Sequence, residues 1–479
     1  MRTKFLSNLF LLLLLNLVVK PLWLLGVDRE VQNTLGSEVY GTYFALLNFS
    51  ILFSSLLDLG VSAYNNRNIA QHHFLLSKYF PKLIHIKLAL ACLYFVLMCG
   101  AGYLLGYNGL MFKMLLLLAF NQIILSLILF FRSNLGALLL FKKDSIISVC
   151  DKVLLIGLCG GLLLYKDGQF LSLESFVGAQ TLAYLITAVL AFVFLKGKIK
   201  FKKLKLKPLP YLAILKESYP YAILVLLMAI YSRTDAIMLE RLLPDGAQQS
   251  GIYAQGYRIL EAFSMIAYLF STLLLPLFAK MLKDKSPISD LLKVALKLLG
   301  VFSLSVAVLC SVFSSDLVDI LYKYNQQEAS VVLGLLIFSL IPISITYIFG
   351  TLLTAGAKLR FLNQMAITGV LLNLILNFIL IPHFKAEGAV YSTILTQGFT
   401  ALIQVWACYK YFKFKLGKLL WAKIIAFPFF AAIIAYFVKS QIVGINAFFI
   451  ASILVLLLGI LLGLLNPKSA ISLIKTRNK

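Results

Sequence analysis

Lys196-Gly197-Lys198-Ile199-Lys200-Phe201-Lys202-Lys203-Leu204-Lys205-Leu206-Lys207-Pro208 opens a stretch that reaches a net +7 by Glu217 and separates two long apolar runs. The rest of the chain repeats this alternation of apolar run and short polar break, and the charge of the breaks is sorted by position. Counted from the amino terminus, the odd-numbered breaks sum to +29 and the even-numbered ones to −4. The third, for example, holds Arg67, Lys78, Lys82 and Lys87 for +4. Cytoplasmic loops retain Lys and Arg, so this register places both termini in the cytoplasm and requires an even number of spans. Fourteen fit, at about 5–26, 39–64, 83–106, 111–131, 145–165, 173–195, 211–238, 250–279, 291–313, 329–355, 360–381, 387–409, 418–438 and 444–465. Each approaches or exceeds the roughly 20 apolar residues needed to cross a hydrocarbon core.

Composition supports the same class. The chain is 61% hydrophobic and only 13% charged, against roughly 25% charged residues in soluble domains. A net charge of +25 would suggest nucleic acid in a soluble protein. Here positive-inside retention accounts for the whole excess, and no nucleic-acid partner is expected. Residues 5–26 have the basic start of a signal peptide, but no A-x-A-like cleavage site follows and thirteen further spans do. All six cysteines lie within apolar runs without C-x-x-C spacing, so they read as small core residues and no metal site is expected. No G-x-x-x-x-G-K-[ST] loop is present, which excludes ATP hydrolysis by that device. No outward break is long enough for a catalytic domain, and no cofactor is expected beyond H+ or Na+ as a coupling ion.

The basic linker 196–217, with Pro208 and Pro210, divides the spans into an amino-terminal lobe of six (1–195), a second lobe of six (211–411) and a carboxy-terminal pair (418–466). A shift of 210 residues lays Gly41-Thr42-Tyr43 on Gly251-Ile252-Tyr253 and Phe53-Ser54 on Phe263-Ser264. In the second span Asn48, Ser55, Asp58, Ser62 and Asn65 fall on one helix side, as do Gln255, Arg258, Glu261, Met265, Tyr268 and Thr272 in the eighth. Lipid cannot hydrogen-bond such stripes, so they must face protein or a wet cavity. A repeat that keeps its orientation is one known transporter plan.

Apart from charges near span ends that are counted with the breaks, eight charges are intramembrane: Lys20, Asp58, Asp151, Lys152, Arg233, Asp235, Arg258 and Glu261. Each would cost about 2.5–3.5 kcal/mol at a lipid-facing helix centre, so all should face inward. Internal pairing is the simplest use of them: Arg258 with Glu261 at i and i+3, Asp151 with Lys152, and Arg233 and Asp235 through neighbouring helices. Lys20 also lies near enough to a span end to snorkel. The functional reading is that Lys20, Arg29, Arg233 and Arg258, all in or beyond the outer halves of their spans, receive an anion, with Asn48 and Gln255 lining the same face. Guanidinium forks match phosphate oxygens in paired hydrogen bonds, which suits a diphosphate. Asp58, Asp235 and Glu261 are the candidates to carry a coupling ion.

Three groups of residues carry a resemblance. They are Leu35-Gly36-x-x-x-Tyr40-Gly41-x-Tyr43 followed by Asp58-Leu59-Gly60, then Asn66-Arg67-Asn68-Ile69-Ala70, and Arg233-x-Asp235-x-x-Met238-Leu239 followed by Gly251-Ile252-Tyr253-x-x-x-Tyr257-Arg258. With these the chain resembles the oligosaccharide flippases, the O-antigen and capsule branch of the multidrug/oligosaccharidyl-lipid/polysaccharide superfamily. The resemblance implies an all-α polytopic membrane protein with two lobes in a V that alternate between inward- and outward-open states. It implies a lipid-linked oligosaccharide as substrate, moved across a bacterial inner membrane, with membrane lipids and polysaccharide-assembly proteins as partners. By position the family's head-group arginines pass to Arg29, Arg258 and Arg233. Drug exporters of the superfamily usually carry an acid in the first helix, where this chain has only Lys20. A drug exporter and a polytopic glycosyltransferase or polymerase are the competing readings, and the latter class generally needs a large external loop.

Overall fold

The computed structural model describes residues 14–62, 76–165, 169–197, 209–414, 416–442 and 444–465. The motif at 66–70, His72, His73, most of the basic linker and the basic tail lie outside the described residues. Among the described residues the regular structure is helical throughout, with no strand. A π-helical turn, Leu22–Asp28, leads into α1 (Arg29–Leu52). There follow α2 (Leu76–Leu104), α3 (Gly109–Ala137), α4 (Phe141–Leu164), α5 (Leu173–Lys196), α6 (Leu209–Leu242) and α7 (Gly246–Lys283). The remainder are α8 (Ser289–Val312), α9 (Ser314–Leu321), α10 (Gln326–Leu336), α11 (Leu340–Ala355), α12 (Leu359–Phe412), α13 (Lys418–Gln441) and α14 (Ile445–Leu461).

Ten segments among the described residues are long and apolar enough to cross a membrane. That is fewer than the fourteen expected. One of the ten is the 54-residue α12, which covers both expected spans 360–381 and 387–409; Lys385, at φ 52°, breaks its helical path a few residues after Pro382. The expected polar break at 27–38 is itself helical, interrupted only at Gly36 (φ 79°, ψ 165°), a conformation that glycine adopts without a Cβ clash. Long aliphatic and aromatic side chains remain outside the core along these helices, with Leu104 and Leu164 each 86% exposed. In water such surface would drive aggregation; in a bilayer it meets its own solvent.

The chain divides into two compact units, Met1–Gly251 and Ile252–Lys479. In the first, α1 packs on α6, and α3 lies against α5 and α2. Phe80, Phe130 and Phe131 stack where α2 and α3 meet. A capping box between Ser172 and Ser175 starts α5, satisfying amide groups that would otherwise lack partners at the helix end. By its contacts α6 falls in the first unit, packed on α1. The opening of α7 also meets α1: an added Cβ on Gly41 would lie 1.8 Å from Ala247 O, and one on Gly251 would lie 1.9 Å from Ser37 O. The two contacts are reciprocal under the 210-residue shift. Small residues at i and i+4 allow backbones to approach this closely, and the Gln32 amide donates to Gly251 O across the contact at 3.0 Å.

In the second unit α11 packs along α12, and α8 packs on α11 and α13. Ala447, Ala451, Val455 and Gly459 recur every four residues on the buried side of α14. They meet a core that includes Phe313, Phe427, Ala431 and Ala435. Lys439 fixes the far end of α13, donating to Val312 O at 2.8 Å and pairing with Asp316 at 2.8 Å. Lys423 donates to Leu462 O at 2.7 Å.

Candidate functional site

The polar residues of the first unit form two groups. Around the π-helical turn, Asp28 is only 2% exposed and accepts a hydrogen bond from the Tyr40 hydroxyl at 2.7 Å. Lys152 pairs with Asp151 at 3.3 Å, and its ammonium lies 5.7 Å from the centre of the Trp23 ring and 5.5 Å from that of Tyr184. The Gln180 amide donates to the Tyr43 hydroxyl at 2.7 Å. Arg29 pairs with Glu30, and its buried Nε has no hydrogen-bond partner among the described residues. Lys20 is half-buried in the helical residues that precede the π turn.

The second group begins at Asn48, which is 2% exposed. Its Nδ2 donates to Phe44 O at 2.7 Å, while Oδ1 accepts from Arg233 Nη1 at 3.3 Å. Two sequence-selected residues from different helices are thus brought together. Asp235, two positions on, is buried at 2% exposure. Where α1 ends, Asp58 pairs with Lys87. Lys87 is a correction to the charge count. It is counted with the third break, yet it is 2% exposed inside the bundle. Proline breaks the amide ladder but does not stop a helix held by neighbours, so α2 runs through Pro81 and carries Lys87 inward. Without Lys87 the third break keeps +3, from Arg67, Lys78 and Lys82. Asp28, likewise counted with an outward break, is buried because the π turn and α1 continue the helix across that stretch.

In the second unit Arg258 is 7% exposed and its Nη1 donates to Glu261 Oε2 at 2.9 Å. The i, i+3 pairing expected from spacing is present. The Gln255 side chain, in a residue 1% exposed, donates from Nε2 to Tyr324 O at 3.1 Å, and the Gln255 backbone carbonyl accepts from the Tyr322 hydroxyl at 3.2 Å. The stripe does not stay buried: Tyr268 is 53% exposed, and Thr272 is exposed too. Sequence reasoning missed a third polar cluster in α12. Asn373 Nδ2 donates to Ser392 Oγ at 3.3 Å, and Asn377 Nδ2 to Asn373 Oδ1 at 3.2 Å. Its signal was available, since Asn373 and Asn377 are i, i+4 and Ser392, Thr396, Thr400 and Gln404 repeat every four residues.

Outside the spans, the loop residue Tyr107 donates to Glu240 Oε2 at 3.0 Å beneath the Arg241 guanidinium, which lies 3.6 Å from its ring centre. Burial, and then the Glu240 carboxylate, push this phenol up to about 12, so it remains a donor at neutral pH. Among the described residues no group of three or more His, Cys, Asp or Glu is placed to hold a metal.

The sequence matches the family described as "Polysaccharide biosynthesis protein" over residues 5–282. It is 27% identical over 391 residues to the uncharacterized membrane protein MJ1375 of Methanocaldococcus jannaschii, covering 78% of this chain and 90% of that one. It is 28% identical over 176 residues to the capsular polysaccharide biosynthesis protein CapF of Staphylococcus aureus, covering 36% of this chain and 44% of CapF. In structure it is similar to the lipid II flippase MurJ in an inward closed conformation, with a TM-score of 0.68 at 16% identity over 94% of this chain and 98% of that one. It is also similar to an inward-facing multidrug resistance MATE family transporter of the MOP superfamily, with a TM-score of 0.63 at 13% identity over 83% and 94% of the two chains. A multi-pass helical chain with buried cationic and amide side chains, this protein belongs to the polysaccharide biosynthesis protein family and has the fold of the MOP superfamily exporters.

Proposed function

We propose that the protein moves a polyprenyl-diphosphate-linked oligosaccharide from the inner to the outer leaflet of a bacterial inner membrane, with both termini in the cytoplasm, for the assembly of a surface polysaccharide. The observation that carries this reading is the set of guanidinium groups held within the helices of a polysaccharide-family chain: Arg258, buried at 7% exposure, Arg233, half-buried on Asn48, and Arg29, half-buried with an unspent Nε donor. Burying such groups in apolar helices is costly unless they are matched by partners or used by a substrate. A diphosphate supplies charge and oxygen acceptors for several forks at once. In the first unit Arg29 and Arg233 are the candidates for the head group, with Lys20 adding charge and Asn48 holding Arg233; in the second, Arg258 is the candidate, with Gln255 one turn away. An ion gradient of H+ or Na+ drives alternating access between two lobes, with Asp235 and Glu261 as carriers. Asp58, the remaining sequence candidate, pairs with the 1%-exposed Lys87 side chain of another helix, whereas Glu261 pairs with Arg258 of its own helix.

Deletion of the gene tests the reading. Lipid-linked glycan should accumulate on the cytoplasmic leaflet and the surface polymer should disappear. The MATE likeness supports a second reading, cation-coupled export of small molecules. Normal surface polymer with new sensitivity to cationic dyes would select that one.

A further inference from the structure

Within the first unit, α1 ends at Leu52 and gives way to a 3₁₀ turn, Ser54–Leu57. Asp58 (φ −122°), Leu59 (φ 43°) and Gly60 (φ 79°) then leave helical geometry altogether. A helix broken inside an apolar segment exposes carbonyl groups that lipid cannot satisfy. Here the exposed group is Leu57 O, and it accepts from Ser126 Oγ at 3.3 Å and from Lys87 Nζ at 3.1 Å. The same ammonium lies 3.0 Å from Ser126 Oγ and pairs with Asp58 Oδ1. All three of its donors are therefore spent on oxygens: a carbonyl, a hydroxyl and a carboxylate. The Lys87 side chain is 1% exposed. Asp58 in turn accepts from the Ser62 amide at 3.3 Å and from its hydroxyl, which ties the charge to the chain beyond the break.

Oxygen donors of these kinds, gathered where a membrane helix unwinds, are what transporters use to hold a small cation. A lysine ammonium is a compact point charge, close in role to such an ion. We propose that Leu57 O, the Asp58 carboxylate and Ser126 Oγ form a monovalent-cation site permanently filled by the tethered ammonium of Lys87. The cation cannot leave, so Asp58 keeps a fixed counter-charge and is withdrawn from ion coupling, which falls to other carboxylates. The site itself does not depend on what the protein transports, and its test uses binding rather than transport.

The test is thermal unfolding of the full-length protein in detergent at constant ionic strength, in choline, sodium or propylammonium chloride. Propylammonium restores the atoms that Lys87→Ala removes. The wild-type midpoint should be the same in all three salts. Lys87→Ala should unfold at lower temperature in choline and regain a few degrees in sodium or propylammonium, because a ligand that binds only the folded state stabilises it. Lys87→Ala combined with Asp58→Asn should lose that response. Equal midpoints for Lys87→Ala in all three salts, or an undiminished response in the double variant, would overturn the proposal. If Lys87→Ala does not accumulate, Lys87→Met with Asp58→Asn removes both charges and should accumulate with no salt preference. Failure of that pair too would show that packing, not charge, is what Lys87 supplies, and would also overturn it.

Discussion

Gly41→Ala adds one methyl group at the tightest helix contact in the first unit. That Cβ would lie 1.8 Å from Ala247 O and 2.5 Å from Gly251 N, against a working minimum of 3.0 Å, and both neighbours are backbone. No rotamer change relieves such a clash, so α1 and the first turn of α7 must separate by more than an ångström. Overpacking of this kind costs about 1–3 kcal/mol and sometimes more. The separation also breaks the Gln32–Gly251 hydrogen bond, worth about 0.5–1.5 kcal/mol. Together these predict a loss of about 2–4 kcal/mol, read as a fall of about 2–4 °C in the unfolding midpoint of the detergent-solubilised full-length protein. Gly178→Ala is the matched control. It lies in the exposed interior of α5 with nothing within 4 Å of an added Cβ, and should gain about 0.5–1 kcal/mol from the smaller entropy cost of alanine in a helix. The two variants differ only in what the methyl group meets. A Gly41→Ala midpoint equal to that of Gly178→Ala would refute the close backbone contact.

Four further outcomes are expected. If Arg258 holds a diphosphate, Arg258→Lys should retain some transport and Arg258→Ala should lose most of it at normal abundance; recovery of transport in Arg258→Gln with Glu261→Gln would instead assign Arg258 only to neutralising Glu261. In a background free of native cysteines, Gln327→Cys should react with a membrane-impermeant thiol reagent in intact spheroplasts and Ser286→Cys only after lysis, and the reverse pattern would invert the charge-based topology. Lys439→Met should lower stability by about 1–2 kcal/mol, after allowing for solvent screening at a partly exposed pair, because its contacts to Val312 O and Asp316 are lost; an unchanged midpoint would show that the helix pair is held by its alanine face alone. Tyr107 should contribute no pH dependence below 10. Its raised value favours the protonated folded state, so its contribution declines as pH rises from 10 to about 12, and Tyr107→Phe should remove that part of the alkaline loss.

The membrane class, the helical content and the alternation of charge along the breaks are carried by local composition, which is why they are legible one residue at a time. An apolar run of sufficient length must be helical in a bilayer whatever surrounds it, and α5 and α8 begin within two residues of their expected spans, as the first half of α12 does. The i, i+3 spacing likewise places Arg258 against Glu261 before any fold is known. Partners from distant helices are a different matter. The pairings of Arg233 with Asn48, Lys87 with Asp58 and Asp28 with Tyr40 depend on where a helix continues, where it breaks, and what then lies beside it. Local sequence counts Lys87 and Asp28 with the breaks beside them because it cannot show what neighbouring helices bury at the start of a span, or that a π turn precedes α1. The repeated Gly41 and Gly251 could be aligned from sequence, but only the packed structure shows the glycines meeting each other, because a missing side chain reveals its purpose through the backbone that occupies its place.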